Sequence, residues 1–225
     1  MAPSLSIVIP ALDEAASLPA LLSDLVPLGD AAELLVVDGG STDGTDRVAE
    51  SLGVRLVRAP RGRASQLRAG AHASRAPVLL FLHADSRLPP ATVARIGGLQ
   101  PADGWGFFRP QVTGRSRWLP LVSALMALRS RLSGIATGDQ GLFVARALYD
   151  RAGGFPEQPL MEDIEICVRL GGLQRGLALP EPIHTSGRRW DRDGALRTIV
   201  LMWWLRLRYA LGATPADLHR AYYGG

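Results

Sequence analysis

Residues 34–45 read Leu34-Leu35-Val36-Val37-Asp38-Gly39-Gly40-Ser41-Thr42-Asp43-Gly44-Thr45, and this stretch decides the fold class. A short unbroken run of leucine and valine is the signature of a strand covered on both faces. The glycines and hydroxyl residues after it make a turn in which backbone can approach a ligand closely, and a helical pattern follows over Thr45–Leu52. Ser41 or Asp43 is placed to cap that helix. The same phrase recurs on either side. Leu5–Ile9 precedes a helical Ser17–Leu28, Val54–Val57 precedes Ala64–Ala73, and Val78–Leu82 is a fourth apolar run. Such alternation with short connections implies right-handed crossovers and a mostly parallel, Rossmann-like α/β sheet with helices on both faces. In sheets of this kind, ligands bind beyond the carboxyl ends of the strands.

The second half is less regular. Trp105–Val112 reads as a strand, Trp118–Leu132 and Glu162–Leu170 as helices, and Gly194–Leu211 as a long amphipathic helix. No internal repeat, low-complexity tract or linker interrupts the chain, so a single domain over 1–225 is expected. A length of 225 residues suits one core, and 47% hydrophobic with 20% charged residues excludes a disordered chain. The single cysteine, Cys167, excludes an internal disulfide and a multi-cysteine metal cage.

All 25 basic residues are arginine. The absence of lysine excludes a Walker-type phosphate loop and Schiff-base chemistry. It also leaves little to titrate above neutrality, so a net charge of +4 is not the footprint of a nucleic-acid partner. The chain enters Leu5–Ile9 without a basic leader and holds no run of ~20 apolar residues, so a cytoplasmic protein is expected, bound at most to the inner face of a membrane. Leu196, Ile199, Val200, Trp203, Leu207 and Leu211 share one helical face, flanked by Arg197, Arg206 and Arg208. That face suits an anionic membrane, and equally a helix packed on the core.

Three aspartates sit just past strands: Asp13, Asp38 and Asp85. Each alone is ordinary turn chemistry. Together, at successive strand ends, they converge on one rim and suit Mg²⁺ or Mn²⁺ carrying a phosphorylated ligand. Arg61, Arg63 and Arg68, and the pair Arg188-Arg189, are candidates for phosphate oxygens, although each by itself reads as a solvated surface charge.

Five segments in order carry a resemblance. They are Ile7-Val8-Ile9-Pro10-Ala11-Leu12-Asp13-Glu14, Val36 to Thr45, Phe81-Leu82-His83-Ala84-Asp85, Gly138-Asp139-Gln140-Gly141 and Met161-Glu162-Asp163. Together they resemble family 2 glycosyltransferases of the GT-A fold, over nearly the whole chain. They are most similar to a small bacterial "transferase 2" subgroup associated with radical-SAM/selenodomain genes, also labelled arsenosugar-biosynthesis glycosyltransferases. The resemblance implies a nucleotide-sugar half over about 1–100 and an acceptor half over about 101–225. It implies that Pro10, Ala11 and Glu14 contact the nucleoside, that Asp38 bonds the base, and that Gly40, Arg63 and Ala84 also line the donor site. Asp85 would hold the cation that bridges the diphosphate. His83 stands where the family has an aspartate, and is either a contact to the ribose, a further metal ligand or a satisfied residue at a strand end. Asp139, Gln140 and Glu162 would hold donor-sugar or acceptor hydroxyls, and Arg188 and Arg189 the diphosphate.

The same resemblance makes Asp163 the general base of an inverting transfer from a nucleoside-diphosphate sugar, a UDP-sugar by preference, to a small-molecule or lipid-linked acceptor. On its own, Glu162-Asp163 is also what helix N-termini favour through the helix dipole. Two rival functions follow from the same residues. A sugar nucleotidyltransferase usually carries a glycine-rich loop with a lysine after its first strand, which Ala11-Leu12-Asp13-Glu14 does not match. A non-catalytic nucleotide-sugar-binding protein is compatible with His83.

Overall fold

A computed structural model describes residues 2–223. Its centre is a seven-stranded sheet built from β1 (Leu5–Ala11), β2 (Ala32–Asp38), β3 (Arg55–Arg58), β4 (Val78–Phe81), β5 (Trp105–Thr113), β6 (Leu142–Ala145) and β7 (Leu177–Ser186). The spatial order is β3-β2-β1-β4-β6-β5-β7. β1 pairs in parallel with β2 and β4, β2 with β3, and β5 with β7, while β6 runs antiparallel to both neighbours. The sheet is thus mostly parallel, with one reversed strand. From β1 the chain moves outward to β2 and β3, then returns to place β4 on the other side of β1. The junction of β1 and β4 is therefore the point where strand order reverses, and the crevice beyond their carboxyl ends is where such sheets bind ligands.

The helices are α1 (Leu18–Leu25), α2 (Thr45–Ser51), α3 (Arg63–Ala73), α4 (Pro90–Gly97), α5 (Leu119–Ser133), α6 (Arg146–Arg151), α7 (Glu162–Leu173), α8 (Arg188–Asp193), α9 (Ala195–Ala210) and α10 (Pro215–Tyr223). Ile7 and Ile9 of β1 face a cluster with α1, α2 and α4, whereas Val8 faces another with α3, α6 and α7. All three are fully buried, which explains why the strand carries no polar alternation. A third cluster joins Leu205 of α9 and Leu218 of α10 to Met161 and Ile164 at the start of α7.

Several elements depart from the sequence expectations. β7 contains Pro180 and Pro182 yet pairs along β5, with a register shift between Phe107 and Arg109. α4, α6, α8 and α10 also form where no helix was expected. The helices at 119–133 and 195–210 bury only part of their apolar residues. Trp118, Leu121, Leu125, Leu128 and Leu132 stand exposed at three- and four-residue spacing, as do Val200, Trp203, Trp204, Leu207 and Leu211. The side chain of Leu196 lies outside the described residues.

Close approach of α3 to the sheet fixes the crevice. A Cβ on Gly70 would lie 2.3 Å from Val8 Cγ1 and 2.8 Å from Val37 Cγ2, so this turn of α3 tolerates no side chain. Gly70→Val is expected to lower unfolding free energy by ~1–3 kcal/mol through overpacking, read as a lower urea midpoint in tryptophan fluorescence. An unchanged midpoint would show that α3 can lift off the strands.

Candidate active site

Ala11 and Asp38 are register partners, as are Asp38 and Arg58, so the parallel strands end at one rim. The loops leaving that rim are stitched to each other. The Asp13 N–H donates to Ser41 Oγ at 2.9 Å, and the Thr42 N–H donates to Asp13 Oδ1 at 2.8 Å. The Glu14 N–H donates to Thr45 Oγ1 and the Ala15 N–H to Asp43 Oδ2, both at 2.9 Å. These bonds hold Asp13 at φ +54°, a backbone region that non-glycine residues seldom occupy.

Asp38 corrects one expectation. Its carboxylate accepts the Gly40 and Ser41 N–H groups at 3.1 Å and the Ser41 hydroxyl, and the residue is only 5% exposed. Its lone pairs are spent on its own turn, so it shapes the loop and does not face the crevice. Gly40, at φ +91°, belongs to the same turn and does not line the crevice either.

The crevice is a cleft of about 1010 Å³. The ends of β1 and β4 supply Pro10, Ala11, Glu14, His83, Ala84 and Asp85, and the start of α3 supplies Arg61 and Arg63. The wall opposite comes from residues 157–159 and from His219 and Tyr223 of α10. Sequence reasoning missed this last wall. Its only signal was the i, i+4 spacing of His219 and Tyr223, whose rings meet at a tilt of 46° with centroids 4.6 Å apart. Arg68, in contrast, donates to the Phe155 carbonyl and pairs with Glu157.

At the mouth, Arg188 Nη2 lies 3.4 Å from both Glu14 and Asp85. A positive head between two carboxylates is the electrostatics a divalent cation would meet, and Asp85 fits as an oxygen ligand facing the cleft. His83 does not fit that part. Its Nε2 is buried without a hydrogen-bond partner, and it faces Gly138 and the Arg63 guanidinium, whose charge opposes a cation. Burial first, and the Arg63 charge second, push the imidazole down to about 3, so it is neutral at pH 7. The side chain of Arg189 lies outside the described residues.

Deeper in, five titratable groups surround Gly138. Arg63 pairs with Glu162 at 3.1 Å, and Glu162 is 3% exposed. Burial works against the Arg63 charge, but Glu162, Asp163 and Asp139 outweigh it and hold the guanidinium above its ordinary value. Burial raises Glu162 and Asp139 above the usual carboxylate range, with Arg63 offsetting part of the rise in each. Asp163 Oδ2 accepts the Gly138 N–H at 3.1 Å, and Oδ1 accepts the Ile164 N–H at 2.8 Å. α7 starts from Met161 at φ +67°, a second strained non-glycine residue, which turns Glu162 and Asp163 inward.

Asp139 sits 3.7 Å from His83 Nδ1 and accepts from Thr185 Oγ1 at 3.4 Å. Gln140 corrects another expectation. It is 1% exposed; its Oε1 accepts from Ser130 and Thr137 and its amide donates to the Phe108 carbonyl, so it braces the turn and is closed to a sugar hydroxyl. Cys167 lines a small cavity of about 20 Å³ behind the cluster, and burial pushes its thiol up to about 12.

Residues 6–99 match the family model described as glycosyl transferase family 2. An uncharacterized glycosyltransferase of Mycobacterium tuberculosis is 36% identical over 94 residues, 41% of this chain and 42% of that protein. A PGL/p-HBAD biosynthesis glycosyltransferase of the same organism is 40% identical over 116 residues, 45% of each chain. The chain thus spans less than half the length of these curated relatives. Among solved structures, glucosyl-3-phosphoglycerate synthase from Mycobacterium tuberculosis, in complex with Mn²⁺, UDP and glucosyl-3-phosphoglycerate, superposes with a TM-score of 0.61 at 25% identity, over 88% of this chain and 78% of that one. A mannosyltransferase from Pyrobaculum calidifontis, in complex with GDP-Man and Mn²⁺, gives 0.60 at 20% identity, over 83% and 57%. The architecture is that of GT-A glycosyltransferases.

The Arg63–Glu162 pair gives a test of the cluster. Arg63→Gln leaves a buried carboxylate unpaired and is expected to cost on the order of 2 kcal/mol, the full buried-pair figure being reduced because the Arg63 side chain is 35% exposed. Adding Glu162→Gln should recover at least half of that loss in urea unfolding. Strict additivity of the two losses would show that the pair does not act as a unit.

Proposed function

We propose that this chain is an inverting, metal-assisted glycosyltransferase that moves a hexose-type sugar from a nucleoside-diphosphate sugar, UDP-linked by preference, to an acceptor hydroxyl. Within the glycosyl transferase family 2 we place it nearest the radical-SAM-associated, arsenosugar-type subgroup that its five motifs resemble. The observation that carries the reading is the position of Asp163. It opens α7, is oriented by the Gly138 N–H at 3.1 Å, and shares a cluster with Arg63 and His83, both of which line the cleft at the β1/β4 crevice.

In this reading Pro10, Ala11 and Glu14 hold the nucleoside, with Ala84 and Asp85 beside the diphosphate. Asp85 would hold a divalent cation, which would supply charge neutralisation for the departing diphosphate. Arg188 does the same from the mouth. Asp163 takes the acceptor hydroxyl proton as the oxygen attacks the anomeric carbon. The bond from that carbon to the diphosphate oxygen breaks, and its electron pair leaves with the nucleoside diphosphate. Asp139 and Glu162 are the remaining candidates for holding donor-sugar or acceptor hydroxyls. Asp163→Asn is expected to cut turnover by about 10²–10⁴-fold while UDP binding stays within about twofold, measured as nucleoside diphosphate released from UDP- and GDP-sugars with Mn²⁺. Wild-type turnover in that variant would remove the base assignment.

The reading extends to location, a cytoplasmic protein resting on the inner face of an anionic membrane. The exposed stripes of α5 and α9 support it. Neither helix contains Asp or Glu, and Arg117, Arg131, Arg197 and Arg208 flank the stripes. Among the described residues no helix is long and apolar enough to cross a membrane. The chain is expected to float with vesicles containing roughly one-third phosphatidylglycerol and not with pure phosphatidylcholine, and Trp203→Glu with Leu207→Glu should abolish flotation. A wild-type chain that stays in the soluble fraction with both, or a soluble dimer that covers these stripes, would refute membrane contact.

A further inference from the structure

The groups assigned to transfer leave one wall of the cleft unused, the wall to which the last helix contributes. α10 places two aromatic side chains there, His219 and Tyr223, in the same cleft as Pro10, Ala11, Glu14 and Arg61. Tyr223 is 67% exposed. A large ring left in water on the wall of a concave site forgoes burial that a ligand can supply.

The exposed ring is nonetheless braced. Tyr222 meets it edge-on, at 87° with centroids 4.7 Å apart, and His219 meets it at 46° and 4.6 Å. Leu218 and Tyr222, four residues apart, form the anchored face of α10: Leu218 is fully buried beside Met161 and Ile164 at the start of α7, and Tyr222 packs against the same cluster. His219 and Tyr223 each stand one residue further on and form the adjacent face, which reaches the cleft. Rings held in place before a ligand arrives lose little conformational freedom when it binds.

We propose that His219 and Tyr223 complete the nucleoside subsite and stack on the base of the donor. The proposal rests on the reading of this cleft as the donor site, and it adds a helix that none of the five motifs contains. The choice of the base follows from the chemistry of the two surfaces. Flat aromatic faces suit a flat base held by Pro10 and Ala11, whereas the diphosphate beside Asp85 is charged and gains little from them. Every base offers such a face, so the two rings set the affinity for the donor and not the choice between uracil and guanine.

The test titrates UDP, GDP and inorganic pyrophosphate, each with Mn²⁺, into the full chain by calorimetry. His219→Ala with Tyr223→Ala is expected to weaken UDP and GDP by about fivefold or more each, and to leave pyrophosphate within about twofold. Tyr223→Phe, which keeps the ring, should bind UDP within about twofold of wild type. Should the double variant fail to fold, Tyr223→Ala alone carries the comparison. A double variant that binds UDP as wild type does would overturn the proposal, and so would an equal loss of UDP and pyrophosphate, which marks a structural role. A loss seen with UDP-glucose but not with UDP would also overturn it, by moving the rings to the sugar. In each of those results wild type still binds UDP and the glycosyl-transfer reading stands; a wild-type chain that binds neither nucleotide would bring down both.

Discussion

The contact between Arg63 and Glu162, at 3.1 Å and beside the bare backbone of Gly138, is what the rest of the site depends on. Arg63 comes from the parallel-strand half of the chain and Glu162 from the other. A Cβ on Gly138 would fall 1.4 Å from Arg63 Nη2 and 2.3 Å from His83 Nε2, so any side chain there would push both groups out of their present positions. Once the second half closes onto the first, the Gly138 N–H is aimed at Asp163, which lines the small cavity behind Arg63 and His83, and those two residues line the cleft whose other end is set by β1 and β4. An ion pair, one missing side chain and one hydrogen bond thereby join a donor-side rim to an acceptor-side helix.

The cluster also explains the division of labour among like residues. Of the carboxylates at strand ends, Asp13 and Asp38 are consumed by backbone N–H groups of the paired loops, which makes those loops rigid. Among the described residues Asp85 accepts no such bond; its partner is the exposed head of Arg188, a group that can yield to a ligand. Among the arginines, half-buried Arg63 has Glu162 within ion-pair distance, whereas the exposed head of Arg188 bridges Glu14 and Asp85 at the mouth. Whether a charged group is paired within the fold separates scaffold from binding surface here, and that distinction cannot be made from residue type.

Much of this was legible in the sequence, and the parts that were not have physical reasons. β1 to β4 read clearly because burial on both faces leaves continuous apolar runs, and their order placed the rim. The roles of Asp38 and Gln140 did not read, because an aspartate in Asp-Gly-Gly-Ser or a glutamine in Gly-Asp-Gln-Gly is equally suited to bonding its own turn or a ligand. β7 was hidden by Pro180 and Pro182, which break the expected pattern although the strand pairs along β5. α5 and α9 have apolar residues on more than one face, and periodicity does not say which face is covered. α10 is short, and its contribution to the cleft depends on where α9 delivers it.

The central claim is that an acceptor oxygen attacks the anomeric carbon directly, with no covalent sugar–enzyme stage, from the side held by Asp163. Water can serve as that acceptor, so the claim can be tested before the natural acceptor is known. Proton NMR of the hexose released from an α-linked nucleotide sugar with Mn²⁺, recorded before mutarotation mixes the anomers, is the direct measurement. The account predicts that the β-anomer appears first. Initial release of the α-anomer would contradict it.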